Sequence, residues 1–309
     1  MNMSENTFQD PRDQVTESEI HTISAIQRVS ASLSLCGSLY IIREIVCKDP
    51  NRLKRSNIYH RIVFILSCFD TASSLALFVG SWVSPRDAGY AFLHHNYGNT
   101  ATCDTQGFII TFCWLGVITS NSALCLNFLM TVKYNWPNAM LKQRIEKPFH
   151  AILLFFCLPL AASPLFWDLF NPGIGYCVLD VYPSGCYTSN DIECLRGDTG
   201  AYHILYIIAY GFPVPSAFLV ITASMIMLYR SVKQQERQAT QFASNATLQR
   251  LSKYSKIVFW RATWYVVSFL VVWFPSFVML GTDYSIIAVQ YFHKFTFPLQ
   301  GTCNLVSIL

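Results

Sequence analysis

Charge is scarce in this sequence. Asp, Glu, Lys and Arg make up 13% of its 309 residues, about half the share usual in a soluble globular domain. That excludes a disordered chain, a nucleic-acid-binding domain and an ordinary cytosolic enzyme. Nucleophile–base pairs, glycine loops that cradle phosphate and clusters of metal ligands are missing too. No catalysis, cofactor or metal is therefore expected; the neighbours His94 and His95 lack further ligands. An apolar leader is also missing. Residues 1–19 are polar and acidic, so the first apolar stretch is expected to act as its own insertion signal.

Apolar residues are abundant, at 52%, and the mean hydropathy is +0.33. Four stretches hold no Asp, Glu, Lys or Arg: 105–132, 148–167, 199–229 and 262–282, with lengths of 28, 20, 31 and 21. A hydrocarbon core about 30 Å thick needs about 20 apolar helical residues, so each reads as a membrane span. Residues 20–42, 58–82 and 285–309 are interrupted only by Arg28, by Arg61 and Asp70, and by Lys294. Each fits a span with a charge near its end or facing the bundle.

Basic residues fix the orientation. The connections 43–61, 131–150 and 230–261 carry 17 of the 22 Lys and Arg; only Arg12, Arg28, Arg86, Arg196 and Lys294 lie elsewhere. This alternation needs an odd number of spans, so seven are expected and not six. The fold expected is an all-α membrane protein, a seven-transmembrane helix bundle with its N-terminus outside. Residues 1–19 form a short extracellular segment, and 20–309 form the bundle. Its spans run over about 20–42, 58–82, 106–131, 149–170, 201–229, 257–280 and 285–309. The outer side holds 13 of the 18 acids and nets −8, while the inner side nets +12. A basic inner face suits anionic lipid headgroups and acidic protein partners.

Of 11 cysteines, Cys36, Cys68, Cys113, Cys125, Cys157 and Cys303 fall in spans, where a thiol is a small apolar group, and Cys47 is cytosolic. Cys103, Cys177, Cys186 and Cys194 fall outside. Two disulfides are expected there, among three possible pairings.

Several segments resemble the cyclic-AMP-receptor-like G-protein-coupled receptors. SLYIIREIVCKDPNRLKRSNIYHRIVFILSCFD resembles the family's first two spans, with Tyr59, Arg61, Ser67 and Asp70 at matching places. GNTATCDTQGFIIT resembles the start of the third span, with Cys103, Gln106 and Gly107, and LCLNFLMTVKYNW its inner end, with Lys133, Tyr134 and Trp136. FNPGIGYC resembles the second outer loop, and FPLQGTCNLV the seventh span, with Pro298, Gln300, Gly301 and Asn304. The rhodopsin-like Asp-Arg-Tyr and Asn-Pro-x-x-Tyr motifs are absent. The resemblance covers residue 31 onward and implies a disulfide from Cys103 to Cys177. Cys186 with Cys194 is the bridge expected beside it. Receptors of this kind normally continue into a cytosolic tail, which here is expected to be either naturally missing or cut short.

Some residues admit a sharper and a blander reading. Asp70 is either a switch residue or a structural hydrogen-bond node with Asn127, Gln300 or Asn304. Pro159, Pro164, Pro213, Pro215, Pro275 and Pro298 are hinges or the ordinary prolines of membrane helices. Trp273, Pro275 and Pro298 are the hinge candidates. Lys294 could hold retinal as a Schiff base, but its place near the outer end favours snorkelling to the interface.

The function expected is a cell-surface receptor in the plasma membrane. An extracellular ligand binds among the outer span ends and the loop 168–200, and a heterotrimeric G protein binds inside. Coupling is expected through Lys133, Tyr134, Lys233, Arg237, Lys253 and Lys256, since 230–261 holds 7 basic residues and one acid and has a helix-favouring composition. The outer charge of −8 should repel a highly anionic free nucleotide within a Debye length of about 8 Å. The alternatives are a transporter, which would call for internal repeats, and a retinal-binding light sensor.

Overall fold

A computed structural model describes residues 17–48, 56–86, 96–183, 186–187, 193–241, 246–282 and 287–308. Residues 1–16, within the segment expected to be extracellular, and the pair His94 and His95 lie outside the described residues.

The described residues form a bundle of seven helical rods. These are α1 (Glu17–Val46), α2 (Ile58–Val79, continued by a 3-10 turn Gly80–Val83), α3 (Thr100–Tyr134) and α4 (Asn138–Trp167). After them come α5 (Thr199–Tyr206, Ile207–Gly211 and Pro213–Gln241), α6 (Ala246–Thr282) and α7 (Ile287–Thr296, Phe297–Leu299 and Gln300–Ile308). Five of them, α1 to α5, are long and apolar enough to cross a membrane; α6 has a shorter apolar core, Ala262–Ser276, and Pro298 breaks α7 into pieces. The chain is a multi-pass membrane protein.

Local chemistry sets the ends. Asn99 caps α3 by accepting from the Thr102 N–H, and the Thr102 hydroxyl accepts from the Asn99 N–H in return. Asn135 closes α3 in the left-handed region, at φ 50°, which Asn tolerates. Asp198 caps α5 through the Ala201 N–H. α5 loosens into a π turn at Ile207–Gly211, just before Pro213. Proline has no N–H for the preceding turn, so the helix widens there. Several helices run past the uncharged stretches: α3 takes in Asp104 and Lys133, and α5 continues to Gln241.

α3 is the central rod. In its apolar window 72% of residues are buried, against 28% for α5 and 33% for α4. Lipid takes the place of core for the outer helices, as Phe155 and Phe166, 77% and 84% exposed, illustrate. α1 and α7 approach closely through glycine, a common device where backbones meet in membranes. A Cβ on Gly301 would lie 2.7 Å from the Ser34 carbonyl oxygen, and one on Gly37 would lie 2.9 Å from the Gly301 carbonyl oxygen. The Ser34 hydroxyl accepts from the Gly301 N–H at 2.9 Å.

Beyond α4 the chain folds back over the bundle as a hairpin. β1 (Phe170–Pro172) pairs antiparallel with β2 (Cys177–Leu179), with Pro172 opposite Cys177. Gly175 turns the tip at φ 88°, a conformation glycine adopts without strain.

Candidate functional site

The hairpin caps the bundle and is fastened from three sides. Cys177 is bonded to Cys103 near the start of α3. One turn further along α3, Gln106 accepts from the Cys177 N–H at 2.8 Å and donates to the carbonyls of Ala76 and Gly80 at 2.9 and 2.8 Å. One side chain thus ties α2, α3 and the hairpin together. From α1, Gln27 donates to the carbonyls of Leu77 and Gly175 at 2.9 and 3.3 Å. From α7, the Lys294 ammonium donates to the Ile174 carbonyl at 2.5 Å and lies 3.7 Å above the Tyr176 ring. Lys294 is only 7% exposed. This corrects the snorkelling expectation: the hairpin covers the outer end of α7, so the amine turns inward to a carbonyl and an aromatic face.

The rest of the outer loop is pinned by Arg196. Its guanidinium donates to both Asp104 oxygens at 2.8 and 3.0 Å, to Asp168 at 3.2 Å and to the Phe170 carbonyl at 3.2 Å. Cys186 is bonded to Cys194.

Below the cap lies a small cavity with about 20 Å³ open to the centre of a water molecule, lined by Ser34, Asp70, Ser73, Trp114, Trp273 and Gln300 among others. That is room for about one water. The Asp70 carboxylate accepts from Asn304 at 2.7 Å, and Gln300 donates to Asn304 at 3.1 Å. Asp70, Asn304 and Gln300 are 1%, 0% and 5% exposed. Asp70 Oδ1 and Gln300 Oε1 have no hydrogen-bond partner among the described residues.

Asn127 stands apart, and the four-residue network expected from sequence becomes three. Val117 on α3 lines the cavity beside Asp70. Asn127 follows ten residues later, about 15 Å along the helix at 1.5 Å per residue. Trp273 sits beside the cavity, edge-on to Trp114 at 4.4 Å and stacked on Phe269 at 5.4 Å. Pro275 is buried within α6, and Pro298 is buried in the 3-10 turn that breaks α7.

At the inner end, Lys133 and Tyr134 are exposed, with the Lys133 ammonium 3.9 Å from Met227 Sδ and 4.9 Å above the Tyr134 ring. Lys233, Arg237 and Lys253 are exposed too. Lys256 departs from the expected set of available cations, because it pairs with Glu236 at 2.9 Å and joins α6 to α5. Gln235 also donates to the Val132 carbonyl at 3.0 Å, joining α5 to α3.

Sequence reasoning missed an inner clamp. Arg61 at the start of α2 grips Glu146 on α4 through two parallel bonds of 2.5 and 2.6 Å. The Glu146 side chain is 9% exposed and that of Arg61 30%. The only signal was a carboxylate on a strongly basic connection. Glu146→Gln should cost about 1–3 kcal/mol, below the figure for a fully buried pair because water reaches Arg61. Arg61→Gln combined with Glu146→Gln should recover part of it. Thermal unfolding of the three purified variants checks this, and strict additivity would refute the clamp.

No protein-family model matches the sequence, and no curated protein matches it. The structure is similar to the crystal structure of squid rhodopsin, with a TM-score of 0.64 at 16% identity over 99% of this chain and 87% of that chain. The chain therefore shares the seven-helix fold of that structure, although the Asp-Arg-Tyr and Asn-Pro-x-x-Tyr motifs are absent from the sequence.

Proposed function

We propose that this chain is a plasma-membrane G-protein-coupled receptor of the cyclic-AMP-receptor-like kind. Its N-terminus faces outside, a ligand binds beneath the hairpin, and a heterotrimeric G protein binds the basic inner face. One observation supports this most: segments resembling that family meet in space though they lie far apart in sequence. Cys103 and Gln106 of one motif hold Cys177 of another. Asp70 of the second-span motif holds Asn304 of the seventh-span motif. Such a bundle transduces when its two states differ in affinity for ligand and partner alike. The aromatic packing of Trp273 and the breaks at Pro275 and Pro298 would serve as the hinge. The light-sensor reading would need the Lys294 amine as a nucleophile, whereas here the amine is turned to the Ile174 carbonyl.

The test screens extracellular compounds against G-protein nucleotide exchange in cells bearing the chain. The variant is Lys233→Gln with Arg237→Gln and Lys253→Gln. Lys256 keeps its bond to Glu236, so α5 and α6 stay joined, and Arg230 and Arg261 keep the orientation. Exchange should fall at least about tenfold at equal surface level, the loss of roughly 1.4 kcal/mol of coupling. Wild-type exchange would mean that these charges serve only topology and lipid.

A further inference from the structure

We propose that Lys294 is the recognition point for a ligand carrying one negative charge and an apolar body, such as a hydrophobic carboxylate. This rests on the receptor reading and names the ligand class of the same outer site.

Lys294 is 7% exposed and forms no ion pair among the described residues. Buried ammonium groups are costly unless paired with an anion. A neutral carbonyl and an aromatic face satisfy this one in part. A second cation lies at the same corner: Arg28 on α1 stacks over Trp82 at 4.4 Å, and its buried Nε has no hydrogen-bond partner among the described residues. A Cβ built on Gly80 would lie 3.7 Å from Arg28 Nε and 3.0 Å from the Gly175 carbonyl oxygen, which puts the guanidinium beside the hairpin tip. The basic residue Arg196, by contrast, is occupied by Asp104 and Asp168.

The surroundings set the rest of the ligand. Tyr176, the ring beneath the amine, packs with Ala31, Leu77 and Ile110, and with Phe297 beside them. Leu77, Ile110 and Phe297 also line the cavity below. An anion at Lys294 thus has apolar and aromatic side chains next to it. A single charge matches Lys294, whose own contacts are the Ile174 carbonyl and the Tyr176 ring, while Arg28 is already stacked on Trp82. The outer charge of −8 disfavours polyanions further.

Binding would also change the cap. A carboxylate brings the opposite charge that the neutral Ile174 carbonyl lacks, so it would draw the buried ammonium away from that carbonyl. The tip would then lose its tie to the Lys294 ammonium, while the Gln27 bond to Gly175 and the packing of Ile174 on Ile20, Ile23 and Tyr291 remain. Ligand capture and loss of the α7 tie to the cap would be one event.

The test uses the full chain in nanodiscs of zwitterionic lipid, titrated with benzoate, benzamide or inorganic phosphate while thermal unfolding is followed. Benzoate should raise the unfolding temperature saturably. Benzamide, of the same shape without the charge, should not, and phosphate should act more weakly than benzoate. Lys294→Gln keeps an N–H for the Ile174 carbonyl but loses the charge, and its half-saturation should weaken at least about tenfold. No shift with benzoate, an equal shift with benzamide, or an unchanged benzoate curve in Lys294→Gln would overturn the proposal. The benzoate–benzamide comparison decides it on the wild-type chain even if the variant fails to fold. No G protein enters this measurement. A chain that takes benzoate through Lys294 yet activates no G protein would sink the receptor reading alone.

Discussion

Cys103→Ser should destabilise the protein more than any other single change in its outer half, and Cys186→Ser should do far less. The first bridge spans 74 residues and the second 8. The chain-entropy argument gives about 4 kcal/mol for a loop of the larger size and roughly 2.5 kcal/mol for the smaller. Those figures suppose a freely coiling unfolded chain. Spans that stay helical in the membrane already restrict the ends of the large loop, which lowers its entropic share.

A second effect raises the cost again. Cys177 is fully buried and its N–H is the donor to Gln106, so losing the bridge loosens the peg that holds α2, α3 and the hairpin together. We expect Cys103→Ser to lose about 3–5 kcal/mol and most of its surface expression. Cys186→Ser should lose about 1–2 kcal/mol, since it closes a small loop at the rim. Surface labelling of cells and thermal unfolding of purified protein measure both. The reverse order would show that the rim loop, and not the hairpin, governs the outer structure.

The parts of this structure legible in the sequence depend on composition along the chain. Uncharged stretches predict the helices because hydrocarbon tolerates few charges. The charge of the connections leads to an odd number of spans. Asp70 reads as inward-facing for the same reason, and the structure buries it. What the sequence hides depends on how elements cross.

Lys294 has the sequence of a snorkelling residue, and only the folded-back hairpin makes it buried. Arg61 and Glu146 are 85 residues apart, and nothing local in either says that α2 and α4 bring them together. Asn127 illustrates a different failure. A polar residue in a span reads as a partner for any other, but depth along the helix decides, and a displacement of about 15 Å removes it. Lys256 reads in the sequence as one more coupling cation, because pairing with Glu236 requires α5 and α6 to run side by side beyond their apolar parts.

Asp70 and Asn304 carry the other large expected effect, and four proteins separate the switch reading from the structural one. Asn304→Leu removes the donor and leaves a carboxylate that is 1% exposed with no hydrogen bond. Leaving this buried acceptor without its donor costs at least about 1–3 kcal/mol, and more where the group is charged. Asp70→Leu leaves the Asn304 amide without an acceptor, although Gln300 still donates to its oxygen; about 2–3 kcal/mol is expected. The double variant removes both partners together, and such paired apolar replacement is often nearly neutral. It should therefore be more stable than either single variant. That non-additivity, read from thermal unfolding, tests whether the bond has net structural worth, and simple addition of the two losses would refute it. Signalling is read on the same four proteins. If Asp70 only holds α2 to α7, the double variant should signal as well as its recovered stability allows. If Asp70 is a switch whose bond to Asn304 differs between the resting and active bundle, stability should return in the double variant while ligand-driven exchange on the G protein stays lost. An apolar pair can hold two helices together, but it has no hydrogen bond to exchange.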